Sequence, residues 1–323
     1  MTDGIPARES TSPVAGMDVV ARVVANLELA IRASHETLEL CVLCLLAEGH
    51  LIIEDFPGVG KTVLAKSLAR SLHLSFSRLQ FTPDLLPSDV TGVNVFNQKT
   101  NEFEFRAGPV FANVLLVDEI NRASPKTQSA LLEAMQECQV TIDRMTYPLE
   151  LPFFVAATQN PIEYEGTYPL PEAQLDRFTA RLSLGYPPLA EEARMLAEQT
   201  TDPPLDRLEP VAAREDVLAA IEAARAVYVE ESVGRYVVTL LRHTRGSARL
   251  ALGASPRAGI ALLRMAKARA VAAGRDYVLP EDVQAIAVYV LSHRLIVAPE
   301  ARAAGVTAED TVREALDHTP VPV

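Results

Sequence analysis

His50-Leu51-Ile52-Ile53-Glu54-Asp55-Phe56-Pro57-Gly58-Val59-Gly60-Lys61-Thr62 is the stretch on which the reading of this chain turns. Leu51, Ile52 and Ile53 form a short apolar run, the pattern of a strand buried on both faces. Asp55 to Gly60 reads as a turn, and Val63 to Leu72 places apolar residues at helical spacing. Strand, glycine-rich turn and helix make a cradle for phosphate. Backbone N–H groups of the turn and first helical turn converge on an anion, which the helix dipole also favours. Gly58 and Gly60 let the backbone approach without a Cβ in the way. Lys61 can reach β- and γ-phosphates, and the Thr62 hydroxyl suits Mg²⁺. The expected nucleotide-binding residues are Pro57, Gly58, Val59, Gly60, Lys61, Thr62 and Val63. The pattern G-x-x-x-x-G-K-S/T asks for glycine at position 55, where this chain has Asp55. Aspartate tolerates turn conformations, so the reading stands.

A second apolar run, Val114 to Val117, ends in Asp118-Glu119. A buried strand there delivers both carboxylates to its carboxyl end, the edge where open α/β sheets bind ligands. Asp118 is suited to hold Mg²⁺ and Glu119 to polarise a water. A third run, Phe153 to Ala157, ends in Thr158-Gln159-Asn160-Pro161, and a polar residue at that strand end could touch the γ-phosphate or the water. Further short strands are expected over Ser75 to Phe81 and Ala180 to Leu184, and a short helix over Glu172 to Phe178. Two hairpins are expected, Gly92 to Gly108 around Asn97-Gln98-Lys99-Thr100-Asn101-Glu102 and Gln139 to Leu149 around Asp143-Arg144-Met145. Phe103 and Phe105 share one face of their strand, so Phe96, Phe103 and Phe105 cannot all point inward.

The 323 residues suggest two domains. The net charge of −12 offers no global basic field for nucleic acid or an anionic membrane. Residues 1–16 are polar and read as a disordered tail, without a signal-peptide apolar segment. Leu40 to Ala47 is too short to span a bilayer, and a cytoplasmic protein is expected. Cys41 and Cys44 have C-x-x-C spacing but sit in a helical apolar run, so buried packing is the better reading. Helices are expected over Val19 to Ile31 and Glu36 to Ala47, ahead of the phosphate loop, and over Lys126 to Glu137. Gly185-Tyr186-Pro187-Pro188 marks a boundary. Residues 17–186 form the expected core domain. Residues 187–323 form a helical domain with a C-terminal tail and no strand pattern, its helices near 189–199, 214–228, 231–244, 257–273 and 280–292.

Taken in order, Asp55 to Thr62, Val117-Asp118-Glu119-Ile120-Asn121-Arg122-Ala123, Ala157 to Pro161, Gly166 to Phe178 and Gly253-Ala254-Ser255-Pro256-Arg257-Ala258 resemble the MoxR family of AAA+ ATPases. The resemblance covers roughly residues 20 to 320. It implies a P-loop α/β domain with a parallel sheet followed by a small all-α lid, with ATP and Mg²⁺ as cofactors. It also implies a homo-oligomeric ring, usually a hexamer. By that analogy Asn160 is sensor 1, Arg177 an arginine finger and Arg257 sensor 2, in its own subunit or a neighbour's. Catalytic residues would then be Glu119, Asn160, Arg177 and Arg257, and metal ligands Thr62 and Asp118. Each has an ordinary reading too: Asn160 as a strand-end amide, Arg177 paired with Asp176 or Glu172, Arg257 as a cation at a helix start. Family members often carry Gly-Gln ahead of the phosphate loop, where this chain has Ala33-Ser34-His35.

The implied activity is ATP-driven, chaperone-like remodelling of partner complexes, with von Willebrand factor A-domain proteins as suspected partners. A nucleotide-gated scaffold with little turnover and a metal-chelatase-like motor remain as alternatives. A nucleic-acid motor is the third. Against it, the first hairpin sets Lys99 and Arg106 against Glu102 and Glu104, a poor surface for phosphates.

Overall fold

The apolar runs lie side by side. A computed structural model describes residues 13–160, 167–186, 189, 192 and 204–322. In it β1 (Leu51–Glu54), β2 (Phe76–Gln80), β5 (Val114–Asp118), β8 (Phe154–Gln159) and β9 (Ala180–Leu182) form a five-stranded sheet in the order β2-β5-β8-β1-β9. Every pairing is parallel, with Leu51 opposite Ala156 and Leu116 opposite Ala156 on its other side. The strands between are two antiparallel hairpins, β3 (Gly92–Asn97) with β4 (Glu102–Ala107), and β6 (Gln139–Ile142) with β7 (Met145–Pro148).

Side chains alternate across a strand, so each run feeds two cores. Leu51, Ile53, Val114, Leu116, Phe154 and Ala156 enter one cluster. Ile52, Leu115, Val117, Val155 and Ala157 enter the other, with Phe81, Leu131 and Phe178. Full burial on both faces is why these strands carry continuous apolar residues rather than an alternation. His50 closes the amino end of the sheet. Its Nε2–H donates to the Met135 carbonyl at 3.0 Å and its Nδ1 accepts from Val155 N–H at 3.1 Å. Burial holds its pKa down at about 4.

The helices around the sheet are α1 (Pro13–Ala30), α2 (His35–Leu46), α3 (Lys61–Ser71), α4 (Pro87–Thr91), α5 (Pro125–Glu137) and α6 (Glu172–Leu175). Ser34 caps α2, accepting from Thr37 N–H at 3.1 Å, and His35 pairs with Glu28. The Ala33-Ser34-His35 departure is therefore a helix start. Cys41 and Cys44 are buried in α2, and burial pushes the Cys41 thiol up to about 12. The tail expected over 1–16 needs correction at its end. Pro13 to Gly16 are the first turn of α1, while residues 1–12 lie outside those described.

The second half is helical, with α7 (Arg214–Ala226), α8 (Glu231–Gly246), α9 (Pro256–Ala272), α10 (Pro280–Leu291), α11 (Pro299–Ala303) and α12 (Ala308–His318). The helix expected near 189–199 falls largely outside the described residues. Two features differ from expectation. Strands β10 (Leu250–Leu252) and β11 (Ile296–Val297) pair antiparallel, and α12 stands where a tail was expected. A capping box starts α12: Thr307 Oγ1 accepts from Asp310 N–H at 3.1 Å and Asp310 Oδ2 accepts from Thr307 N–H at 3.1 Å. Helix α1 packs on α2 and α3 and also on α7 and α9. One sheet face and the helical half therefore share a single apolar cluster. No helix among the described residues is long and apolar enough to cross a membrane.

Candidate functional site

Because all five strands run parallel, the loops that follow β1, β2, β5 and β8 leave the sheet on one edge. A cavity of about 350 Å³ opens there, lined by Pro57, Gly58, Gly60, Lys61, Thr62, Asp118, Glu119 and Asn160, together with Arg78, Gln80 and Thr158. Val59 and Val63, expected with the first group, are not among its lining residues, and neither are Arg177 and Arg257.

Gly58 and Gly60 have φ of +86° and +97°, and a Cβ built on either meets nothing within 4 Å. Glycine is required there by backbone conformation, and the space above stays open for a ligand. Asp55 is not among the residues with positive φ, so the glycine of the general pattern has no conformational role at this position. Its buried carboxylate instead accepts the N–H groups of Leu184 and of Gly185, the latter at 3.2 Å. It ties the phosphate loop to the chain leaving β9, and Phe56 stacks on Tyr186 at 5.7 Å beside it.

Lys61 opens α3 and its Nζ donates to the Asp55 carbonyl at 2.7 Å. Burial lowers the pKa of this ammonium, while Asp55, Asp118 and Glu119 pull it back up. A cation is therefore held beside an open loop of backbone donors. Asp118 ends β5 almost fully buried. Arg78 Nε donates to its Oδ2 at 2.6 Å and Thr158 Oγ1 to its Oδ1 at 3.3 Å. A cationic group already stands against this carboxylate, as a bound metal ion would.

Glu119 has φ +55° and ψ +53°, a left-handed conformation costly for a residue with a side chain. Its N–H donates to Thr158 Oγ1 at 3.0 Å. Its Oε2 accepts from Gln80 Nε2 at 2.6 Å and pairs with Arg122 Nε at 3.0 Å. Gln80, Arg78 and Thr158 were missed by sequence reasoning. Their signal was faint: polar residues near strand ends, whose meaning depends on β2 and β8 both flanking β5.

Arg177 and Arg257 lie elsewhere: Arg177 follows Asp176 in the chain, and Arg257 stands two residues after Ser255, which contacts Asp176. Asp176 pairs with Arg294 at 2.7 Å and accepts from Ser255 Oγ at 3.2 Å, so Asp176 is not the partner of Arg177. Ser255 caps α9, in whose first turn Arg257 lies. Arg177 Nε is buried without a hydrogen-bond partner among the described residues. Among the same residues no group of three or more His, Cys, Asp and Glu is arranged to hold a metal by itself.

The first hairpin divides its aromatics. Phe96 and Phe103 meet edge to face at 5.3 Å and stay exposed, 48% and 72%. Phe105 stacks on Tyr147 of the second hairpin at 4.1 Å and abuts Phe111 at 5.4 Å. The Phe103→Ser protein is therefore expected to melt as wild type does. Phe105→Ser is expected to cost about 2 kcal/mol, read from the thermal midpoint. Equal midpoints would show that the two hairpins do not support one another.

This edge, with its phosphate loop, acidic strand end and polar third strand, defines a P-loop nucleotide-binding protein of the AAA+ class. Residues 50–180 match the model of the ATPase family associated with various cellular activities (AAA), and residues 242–315 match that of the AAA lid domain. YeaC of Bacillus subtilis is 49% identical over 94% of this chain and 95% of its own. The chaperone MoxR1 of Mycobacterium tuberculosis is 40% identical over 98% of this chain and 87% of its own. A crystal structure from Cytophaga hutchinsonii superimposes with a TM-score of 0.89 at 38% identity, covering 96% of this chain and 97% of that one. The chain belongs to the MoxR family of AAA+ ATPases.

Proposed function

We propose that this protein hydrolyses ATP within a ring of its own copies, usually six, and uses the cycle to remodel or mature partner protein complexes. The observation that carries the reading is the single cavity collecting Lys61, Thr62, Asp118, Glu119 and Asn160 above two glycines with positive φ. Lys61 leaves the Asp55 carbonyl to meet the β- and γ-phosphates. Thr62 and Asp118 hold Mg²⁺, which when bound neutralises phosphate charge. Glu119 and Asn160 orient the attacking water, and Glu119 accepts its proton. Glu119 must first be released from Gln80 and Arg122, so hydrolysis is slow until a neighbour or partner disturbs those contacts. Arg177 and Arg257, absent from their own subunit's cavity, serve the cavity of the adjacent subunit.

The name of the mycobacterial relative supports a chaperone-like role. The exposed Phe96 and Phe103 are surfaces for a protein partner, with von Willebrand factor A-domain proteins the suspected class. The division into a core, extended at its start to Pro13 by α1, and a lid over 187–323 is kept as the functional one. Steady-state phosphate release by the pure protein tests the reading. Lys61→Ala is the matched control, expected to weaken ATP binding by at least about a hundredfold in calorimetric titration. Unchanged affinity would reduce the loop to a structural turn.

A further inference from the structure

Arg294 lies just beyond α10, in the helical half, yet its guanidinium is 2% exposed and its bonds go to the core. Its Nε donates to Asp176 Oδ1 at 2.7 Å. Its Nη2 donates to the carbonyls of Phe178 at 2.7 Å and Asp176 at 3.3 Å. Its Nη1 donates to the carbonyl of Thr179 at 3.1 Å and to that of Val290 on α10. All five donors of the guanidinium are used, four of the five bonds on residues 176 to 179. The adjacent His293 adds Nε2–H to the Phe178 carbonyl at 3.0 Å. Phe178 is itself fully buried in the second core. The segment on both sides of Arg177 is thus clamped from the helical half, and Arg177 is left with a buried Nε that has no hydrogen-bond partner among the described residues. Arg294 is too deeply buried to touch a nucleotide. Its bonds fix the backbone from which Arg177 projects.

We propose that Arg294, through Asp176, is a positioning residue for Arg177, so that the helical half of one subunit sets the geometry of the cation offered to the next. This rests on the proposed ATPase and on Arg177 acting across subunits. A planar, multiply bonded arginine specifies orientation in a way lysine does not. A displacement of about 1 Å at a reacting group can cost about 10²-fold in rate.

The test uses full-length Asp176→Asn and Arg294→Lys, two variants in case one fails to fold. Both are expected to bind ATP within about twofold of wild type and to lose about 10²-fold in turnover. Mixed with Lys61→Ala, whose Arg177 is intact, each is expected to regain turnover. Mixed with Arg177→Ala, whose cavity is intact, neither is. A merely destabilised protein would regain nothing with either. Turnover regained with Arg177→Ala overturns the proposal, as does wild-type turnover of the folded variants alone. Failure to recover with Lys61→Ala also overturns it, since the defect then lies in the variant's own cavity or fold. A parallel mixture of Lys61→Ala with Arg177→Ala separates the two levels. If that control stays inactive, action across subunits falls and takes the proposal with it. If it recovers, any failure belongs to Arg294 alone.

Discussion

Lys61→Ala and Arg177→Ala proteins, each inactive alone, are expected to hydrolyse ATP once mixed. Arg177 does not line the cavity that holds Lys61, Asp118 and Glu119. Its segment is clamped through Asp176 to Arg294 and so cannot readily swing toward that cavity. An arginine so held can serve only a site brought to it. In a closed ring each interface is heterologous, pairing the cavity of one subunit with the arginine face of the next. On the proposed reading, Lys61→Ala removes the ammonium that meets the phosphates, and Arg177→Ala removes the cation offered to the neighbour. A supplied arginine is worth about 10³ to 10⁵ in rate, so Arg177→Ala alone should bind nucleotide and barely turn over. At equal mixing about a quarter of randomly formed interfaces pair an Arg177→Ala cavity with a Lys61→Ala finger, which sets the ceiling on recovery. Phosphate release across mixing ratios should peak near equality. If subunits exchange freely and nothing returns at any ratio, Arg177 does not act across the interface.

Glu119→Gln is expected to bind ATP as wild type does and to hold it unhydrolysed. The carboxylate sits at the cavity edge, one residue beyond the buried Asp118, in a backbone conformation that costs energy and is fixed by Thr158. Glutamine keeps the size and still accepts from Gln80 and Arg122, so the fold and the phosphate loop are undisturbed. It cannot take the proton of an attacking water. Loss of a general base costs about 10² to 10⁴ in rate, read as single-turnover hydrolysis of bound ATP. The trapped nucleotide should also stabilise the assembled form, visible as a larger species in size-exclusion chromatography with ATP. Wild-type turnover in this variant would remove Glu119 from the mechanism.

The local units were legible in the order of residues alone. Leu51 to Ile53, Val114 to Val117 and Phe153 to Ala157 read as buried strands, because an element covered on both faces needs no polar residue to face water. The phosphate loop, the acidic pair, both hairpins and most helices followed from spacing within a dozen residues. The capping box at Thr307 and Asp310 was equally local, and the helix it starts could have been read in the same way.

Only the tertiary structure decided what these units touch. Asp55 looked like a flawed glycine and instead caps the chain at Leu184 and Gly185, about 130 residues away in sequence. Gln80 and Arg78 reach Glu119 and Asp118 because β2 is the neighbour of β5, and Thr158 joins them because β8 lies on the other side. Arg294 stands just past a helix end with nothing in its neighbourhood to single it out, yet it is buried against Asp176, 118 residues earlier. Periodicity records which face of an element avoids water. It carries no record of strand order, and a hydrogen bond between distant residues exists only once that order brings donor and acceptor within about 3 Å.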